Sequence, residues 1–173
     1  MDVHSVRQMM RTKSIYEIPM RVTFYARVSS EKDEQLNSLD NQISYYRNFI
    51  KKNANWEFVD GYIDEGLSGI STKKRENFNN MISDAKAGLF DLVITKEITR
   101  FARNTLDSLD YTRRLKNMGV EVFFYNDNIW SCESDGELRL TIMSAMSQEE
   151  SKHISDRVLA GHKTSREKGV LFG

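Results

Sequence analysis

One serine and three arginines are the residues of this chain whose types and spacing could do chemistry. Ser29 ends the segment Tyr25-Ala26-Arg27-Val28-Ser29, and the segment Arg100-Phe101-Ala102-Arg103 follows later in the chain. A serine hydroxyl is a poor nucleophile at neutral pH and has to be activated. Arginine stays protonated, and its planar guanidinium group suits two phosphate oxygens at once. This combination indicates attack on a phosphodiester rather than on an acyl carbon.

The acyl-transfer alternative would require a histidine beside the serine, often on a G-x-S-x-G turn. The chain has no such turn, and its three histidines lie near the two ends, far from Ser29 in sequence. We therefore predict Arg27, Arg100 and Arg103 as the main phosphate clamp, since one such donor typically lowers a barrier by ~3 to 4 kcal/mol. A helix capped at Asn104 would add the positive end of its dipole.

Simpler interpretations of the same residues remain open at this point. Arg27 could form an ordinary surface ion pair. Ser30 could be the nucleophile, although alternation along the strand places it on the opposite face from Arg27. Asp64 and Glu65 could bind metal ions, as acidic pairs do in two-metal nucleases, although no metal site is expected here.

The elements that must position these residues alternate between strands and helices. Such alternation predicts right-handed crossovers and an α/β fold with a mainly parallel sheet of four or five strands and flanking helices. Ligands bind at the carboxyl ends of parallel strands, where Ser29, Asp64, Lys96 and Asn126-Asp127 are predicted to lie. The predicted strands are residues 22–28, 56–63, 90–95 and 120–125, and the predicted helices begin at Asn37 or Ser38, near Phe78 and at Asn104.

A long helix is predicted at the end of the chain. Ser134 and Glu137 form a capping box, and no Gly or Pro interrupts residues 137–160. This division gives an N-terminal extension, expected to be flexible, at 1–18, an α/β domain at 19–136 and a long helix at 137–168. Four basic residues near its end are the predicted DNA contacts: Arg157, Lys163, Arg166 and Lys168.

Composition is that of a soluble globular domain. The chain has 173 residues, with 39% hydrophobic and 29% charged residues and a formal net charge of +0. No apolar run is long enough to span a membrane, the first 20 residues do not form a secretion signal, and the single cysteine excludes an internal disulfide. A reduced cytoplasm is the expected location.

Taken in order, these motifs resemble those of the serine recombinases, which comprise resolvases, invertases and the large serine integrases and transposases. The resemblance covers roughly residues 20–173. Residues 34–38 and 128–130 look most like recombinases of mobile elements in Gram-positive bacteria. The motifs that carry it are Tyr25 to Ser29, Gln42, residues 62–69, Arg75, Lys96 to Asn104, and Ser147 to Glu150.

This resemblance implies a mechanism and a set of site residues. Ser29 would attack a DNA phosphate, form a 5′-phosphoserine link and release a 3′-hydroxyl, without ATP, metal or another cofactor. Many members of the family have Asp before the first arginine of R-x-x-R, where this chain has Thr99, a difference that indicates a subtype. The supporting residues would be Gln42, Asp64, Ser68, Arg75 and Thr99.

The resemblance also implies partners: double-stranded DNA, a homodimer, and a tetramer at synapsis, with no membrane. Residues 19–136 would then be the catalytic domain, and the helix at 137–168 would serve for dimerisation and DNA approach. The chain stops after the long helix without a helix-turn-helix or zinc module, so an excised domain with weak, salt-sensitive DNA binding and little complete recombination is expected. Two other classes stay open: a non-enzymatic flavodoxin-like or receiver-like signalling domain, and a metal-dependent nuclease.

Overall fold

The computed structural model describes residues 8–9, 12–29, 34–66, 75–102, 104–133 and 135–167, and at 28–29, 34–39, 65–66, 150–151, 156 and 158–167 it describes the backbone alone. A short 3-10 helix spans Ile15–Glu17. The strands are β1 (Met20–Ser29), β2 (Trp56–Gly66), β3 (Leu92–Thr95), β4 (Glu121–Phe124) and β5 (Ile129–Trp130). The helices are α1 (Glu34–Lys51), α2 (Glu76–Lys86), α3 (Ile98–Phe101), α4 (Thr105–Asn117) and α5 (Gly136–Glu167).

The strands form one sheet in the order β2-β1-β3-β4-β5. β1 to β4 are parallel, and β5 runs antiparallel to β4. This confirms the predicted α/β class with a mainly parallel sheet, flanking helices and a C-terminal helix. β5 was not predicted, because a strand of two residues has no periodicity to detect.

Both faces of the sheet are buried, which explains why its strands are apolar on both sides. Val22, Phe24 and Ala26 of β1 pack in one cluster with Tyr46 and Ile50 of α1. The opposite cluster contains the helices α2 to α5, represented by Phe78, Phe101, Leu109 and Leu140, together with Tyr25. The predicted alternation along β1 is therefore confirmed over these residues. α1 lies on the first side of the sheet with the short 3-10 helix, whose Ile15 packs against the same cluster.

Several predicted boundaries were wrong. α1 begins at Glu34 rather than at Asn37 or Ser38. β2 continues to Gly66 because its last residues pair with Arg27 to Ser29 of β1. α5 begins at Gly136, where a Cβ atom would collide with the carbonyl oxygen of Trp130. Ser134 of the predicted capping box lies outside the described residues.

The division into segments 1–18, 19–136 and 137–168 stays a prediction. In the described part of the first segment, Ile18 is fully buried, and the ring of Tyr16 stacks on Trp56 with centroids 5.4 Å apart. Within the described residues, no helix has the length and apolar character that crossing a membrane requires.

An ion pair ties the amino ends of β1 and β3 together. The Asp91 carboxylate accepts hydrogen bonds from the backbone N–H of Arg21 at 2.9 Å and from its guanidinium group at 2.8 and 3.1 Å. Burial by itself would raise the pKa of Asp91, but the hydrogen bonds from Arg21 outweigh it and hold that pKa below its ordinary value. A carboxyl group with a lowered pKa in the folded state stabilises the fold when it is ionised.

We expect Asp91→Asn to lower the free energy of unfolding at pH 7 by about 1 to 3 kcal/mol, because it leaves a partly buried guanidinium without its charged partner. The contribution of Asp91 is present above the pKa of an unfolded aspartate, about 3.9. It is lost as the pH falls through the lower folded pKa, so the difference between variant and wild type should shrink in acid. Urea unfolding of the variant and the wild type, from pH 7 down into acid, measures this difference.

Asp110→Asn, which breaks the exposed pair with Arg114, is the control and should change stability by less than about 0.5 kcal/mol. Equal effects of the two variants would contradict the account.

Candidate active site at the carboxyl edge of the sheet

The order of the strands creates a crevice between β1 and β3. The chain passes from β1 to β2 by α1 on one face, and from β2 back to β3 by α2 on the other face. Such a reversal of direction is where open α/β sheets bind ligands, outside the carboxyl ends of the strands. The predicted nucleophile, Ser29, is the last residue of β1, and α3 with Arg100 follows β3, so both lie beside this crevice.

β1 also projects beyond its neighbour at this edge. Its last pair with β3 is Tyr25 with Thr95, but its pairing with β2 continues through Arg27 with Asp64 to Ser29 with Gly66. Four residues of extended strand cover about 13 Å. The backbone at Ser29 therefore lies above the end of β3, on the side of the sheet edge where α3 begins.

A hydrogen-bonded group of three side chains lies directly below this projection. The buried Tyr25 hydroxyl donates to a carboxylate oxygen of Asp64 at 3.1 Å and accepts from Arg75 at 2.9 and 3.3 Å. Burial raises the pKa of Tyr25 to about 12, with Arg75 opposing the rise and Asp64 adding to it. The phenol thus keeps its proton at neutral pH, so it holds its neighbours in place rather than acting as a base.

Asp64 has a second role as the cap of α2. Its two oxygens each accept a backbone N–H at 3.0 Å, one from Asn77 and one from Phe78. Arg75, at the N-cap position, makes no capping hydrogen bond with its own side chain. A carboxylate from the end of β2 therefore satisfies the free amides of α2 and favours the positive end of the helix dipole.

Arg75 connects this group to α3. Its guanidinium group donates to the backbone oxygen of Phe101 and stacks on the ring of Phe78 at 3.8 Å. Ile98 and Phe101 of α3 are buried, whereas Arg100 between them is half exposed. Arg100 lies 3.6 Å from Glu97, a long and exposed pair that leaves its guanidinium accessible to an anion.

The helix that follows the arginine segment begins as predicted. The Asn104 side chain accepts the backbone N–H of Asp107 at 2.8 Å and so caps α4. The Ser108 hydroxyl donates to the Ile98 oxygen at 2.7 Å and joins α4 to α3.

The predicted site residues fall into three groups. Arg27, Asp64, Arg75, Thr99 and Arg100 are all at the carboxyl edge, on β1, β2, α3 or immediately before α2. Gln42 is partly buried on α1, the helix that packs on the opposite face of the sheet. The Ser29 side chain, Ser68 and Arg103 lie outside the described residues, so the predicted distance from hydroxyl to guanidinium stays a prediction.

The predicted DNA contacts are on α5 or beyond it. Arg157 is exposed. Lys163 and Arg166 are described by their backbone alone, and Lys168 lies outside the described residues.

Sequence reasoning missed the part that Tyr25 takes in the site. The available signal was period two, which places residue 25 on the same face as Arg27 with its ring in the core. What no pattern could show is that the hydroxyl meets residues 39 and 50 positions away.

Comparison with known proteins identifies relatives over most of the chain. The family model described as "Resolvase, N terminal domain" matches residues 22–171. The Transposon Tn3 resolvase of Escherichia coli is 32% identical over 154 residues, covering 89% of this chain and 76% of the relative. A resolvase of Clostridium perfringens is 31% identical over 148 residues, covering 84% and 71%.

Solved structures agree with these matches. A resolvase family site-specific recombinase from Streptococcus pneumoniae superposes with a TM-score of 0.65 at 30% identity, covering 86% of this chain and 99% of that one. The N-terminal catalytic domain of TP901-1 integrase gives a TM-score of 0.59 at 26% identity, covering 76% and 97%.

We expect Asp64→Ala to lower the free energy of unfolding by about 1 to 3 kcal/mol, because it removes the cap of α2 and leaves the Tyr25 hydroxyl without its acceptor. Thermal and urea unfolding measure the loss. Asp40→Ala removes an exposed carboxylate from α1 and should cost less than about 0.5 kcal/mol. A loss no larger at Asp64 than at Asp40 would show that the capping interaction contributes nothing.

Proposed function

The chain belongs to the family of resolvase N-terminal domains, and we propose that it is the catalytic domain of a site-specific DNA recombinase that works through a 5′-phosphoserine intermediate. The observation that carries the proposal is the link made by Arg75, which joins the strand of Ser29 to the helix of Arg100 at the switch point of the sheet. A match over residues 22–171 does not favour a signalling domain or a metal-dependent nuclease.

In the proposed reaction, the Ser29 oxygen attacks the phosphorus of a DNA phosphodiester. The new bond joins Ser29 to phosphorus, the bond from phosphorus to the 3′-oxygen breaks, and the serine proton passes to that leaving oxygen, directly or through water. Arg27, Arg100 and Arg103 would neutralise the charge that accumulates on the phosphate oxygens. A 3′-hydroxyl then reverses the step on the same phosphoserine, so the bond is conserved and no ATP is consumed.

The supporting residues would keep this arrangement rigid before DNA binds. Asp64 and Arg75 hold the β1 edge, the start of α2 and the end of α3 in one hydrogen-bonded unit. Gln42 and Ser68 are assigned to the same centre from the family motifs. The Thr99 hydroxyl would hydrogen-bond at the position where many relatives orient an arginine with a carboxylate.

Formation of a covalent DNA adduct tests the proposal. The probe is a pool of short duplexes with a randomised centre and a nick beside it. After cleavage, the short fragment that carries the 3′-hydroxyl dissociates, so the strands cannot be rejoined and the protein stays attached to the DNA. Wild type should form an SDS-stable adduct in EDTA, and Ser29→Ala should form none. Arg100→Ala should slow adduct formation by about 10²- to 10³-fold, the usual effect of one lost transition-state donor. Ser30→Ala is the matched control and should react like wild type. An adduct with Ser29→Ala, or a requirement for metal, would contradict the proposal.

We extend the proposal to a homodimer assembled along α5. This helix has 32 residues, about 48 Å of length. Leu138, Ile142 and Met146 follow one another at intervals of four and are 49–65% exposed, and Ile154 is 54% exposed. A row of exposed apolar side chains on a helix is suited to cover the same row on a second copy. Two such dimers would meet in a tetramer at synapsis.

Double-stranded DNA is the proposed substrate, in the bacterial cytoplasm. Arg157 is exposed on the distal half of α5, and Lys163, Arg166 and Lys168 would follow it along the phosphate backbone. Binding through a few phosphate contacts should be weak and should fall with salt concentration.

We expect Met146→Glu to shift the chain from dimer to monomer, because a carboxylate in an apolar helix contact is desolvated without a partner. Sedimentation velocity at several concentrations measures the change, and a rise of the dimer dissociation constant by at least 10-fold is expected. Gln148→Glu places the same charge on an exposed position of the same helix and should leave the dimer intact. A wild-type chain that stays monomeric at high concentration would overturn the dimer assignment.

A further inference from the structure

We propose that Asp127 is a positioning residue for Arg100, and that Arg139 couples this contact to the long helix α5. The inference rests on the proposed function, since Arg100 is there assigned to the phosphate. It concerns the turn between β4 and β5, where the sequence places Asp127 at the carboxyl edge of the sheet without giving its side chain a role.

α3 receives its cap from this turn. The helix is a single turn of four residues, too short to be stable without outside contacts. Glu97 occupies its N-cap position but makes no capping hydrogen bond with its side chain. The carboxylate of Asp127 accepts the backbone N–H of Ile98 at 2.9 Å instead. A residue 29 positions later in the chain thus fixes the first amide of the helix that carries Arg100.

The turn that carries Asp127 is itself fixed on the sheet side. The backbone N–H of Tyr125 donates to Thr95 at 2.9 Å, and that of Asn126 donates to Lys96 at 2.7 Å. These bonds continue the β3–β4 ladder past the ends of both strands. Asn128 then adopts a left-handed backbone conformation, with φ of 48°, which reverses the chain into β5.

Helix α5 contacts the turn from the other side. One guanidinium nitrogen of Arg139 donates to the backbone oxygen of Asn128 at 2.9 Å, and the other donates to that of Asp127 at 3.0 Å. Two parallel hydrogen bonds from one planar guanidinium group restrict both translation and rotation of the turn relative to α5. Arg139 therefore transmits the position of α5 to the residue whose carboxylate caps α3.

Helix α5 also contacts the chain just after the arginine segment. The buried hydroxyl of Ser144 donates to the backbone oxygen of Thr105 at 2.9 Å, at the start of α4. The stretch from Ile98 to Thr105 is thus connected to α5 at both ends, by Arg139 through Asp127 and by Ser144 directly. A shift of α5 would move the backbone below Arg100, and a displacement of about 1 Å in an active site can cost on the order of 10²-fold in rate.

Adduct formation on the nicked duplex pool, measured with the whole chain, tests the inference. Asp127→Ala should slow it by about 10- to 100-fold at unchanged DNA affinity. Asp127→Asn keeps an oxygen that can accept from Ile98 and should stay within about 3-fold of wild type. Arg113→Ala breaks a contact between α4 and α5, 2.9 Å from Arg113 to Glu137, and serves as the control for general loosening of α5. Adduct formation at the wild-type rate in Asp127→Ala would overturn the inference.

A double-mutant cycle separates positioning from a general loss of stability. In an Arg100→Lys background, which keeps the charge but loses the planar fork, Asp127→Ala should slow the reaction by no more than about 3-fold. The full 10- to 100-fold effect in that background would show that Asp127 does not act through Arg100. Arg139→Ala removes the hydrogen bonds from α5 to the same turn and should also slow the reaction. This variant replaces Asp127→Ala in the assay if Asp127→Ala does not fold.

Side-chain NMR of Arg100 distinguishes failure of this inference from failure of the proposed function. In Asp127→Ala the Nε–H group of Arg100 should become more mobile, and in Asp127→Asn it should not. A wild-type chain that forms no adduct would overturn the proposed function, while the NMR comparison would still decide whether Asp127 positions Arg100. Unchanged Arg100 mobility in Asp127→Ala would overturn the positioning role.

Discussion

The contact of Arg75 with both Tyr25 and Phe101 is the interaction on which the rest of the site depends. The sheet brings β1 and β3 side by side, but their pairing ends at Tyr25 and Thr95, below the residues assigned to chemistry. Beyond the last backbone pair, Arg75 connects the two segments, because its guanidinium group donates hydrogen bonds to the Tyr25 hydroxyl and to the Phe101 carbonyl oxygen. A cation that is already committed to two neutral oxygens is suited to holding backbone in place, and it leaves the more exposed Arg100 to meet an anion.

Burial keeps the hydrogen-bonded group of Tyr25, Asp64 and Arg75 rigid before DNA binds. The Tyr25 ring packs edge-on against Phe78 and Phe101, and Arg75 also contacts both of these residues. Removal of any one polar partner would leave a desolvated group, which costs about 1 to 3 kcal/mol. Because Asp64 also caps α2, the same few atoms stabilise the fold and define the site. Rigidity of this kind lets an enzyme present its donors without reorganising them during the reaction.

Sequence reasoning predicted the sheet, the edge and most of the residues at it. Alternation along β1 correctly separated Phe24 from Tyr25, and the Asn104 cap was identified because capping is a local interaction between residues three apart. The Asp64 cap of α2 and the Asp127 cap of α3 could not be predicted, since each joins residues far apart in the chain and depends on tertiary structure. The start of α1 was also wrong, because a polar residue such as Asn37 or Ser38 can cap a helix but does not have to begin one.

Mapping the attachment site on a trapped protein–DNA adduct is the most direct test of the central claim, that a serine at the end of β1 is the nucleophile. Nuclease and protease digestion of the adduct, followed by tandem mass spectrometry, would locate the phosphate-linked nucleotide on a single residue. The account predicts a 5′-phosphonucleotide on Ser29. A remnant on Ser30, on any other residue or on a 3′-phosphate would contradict it.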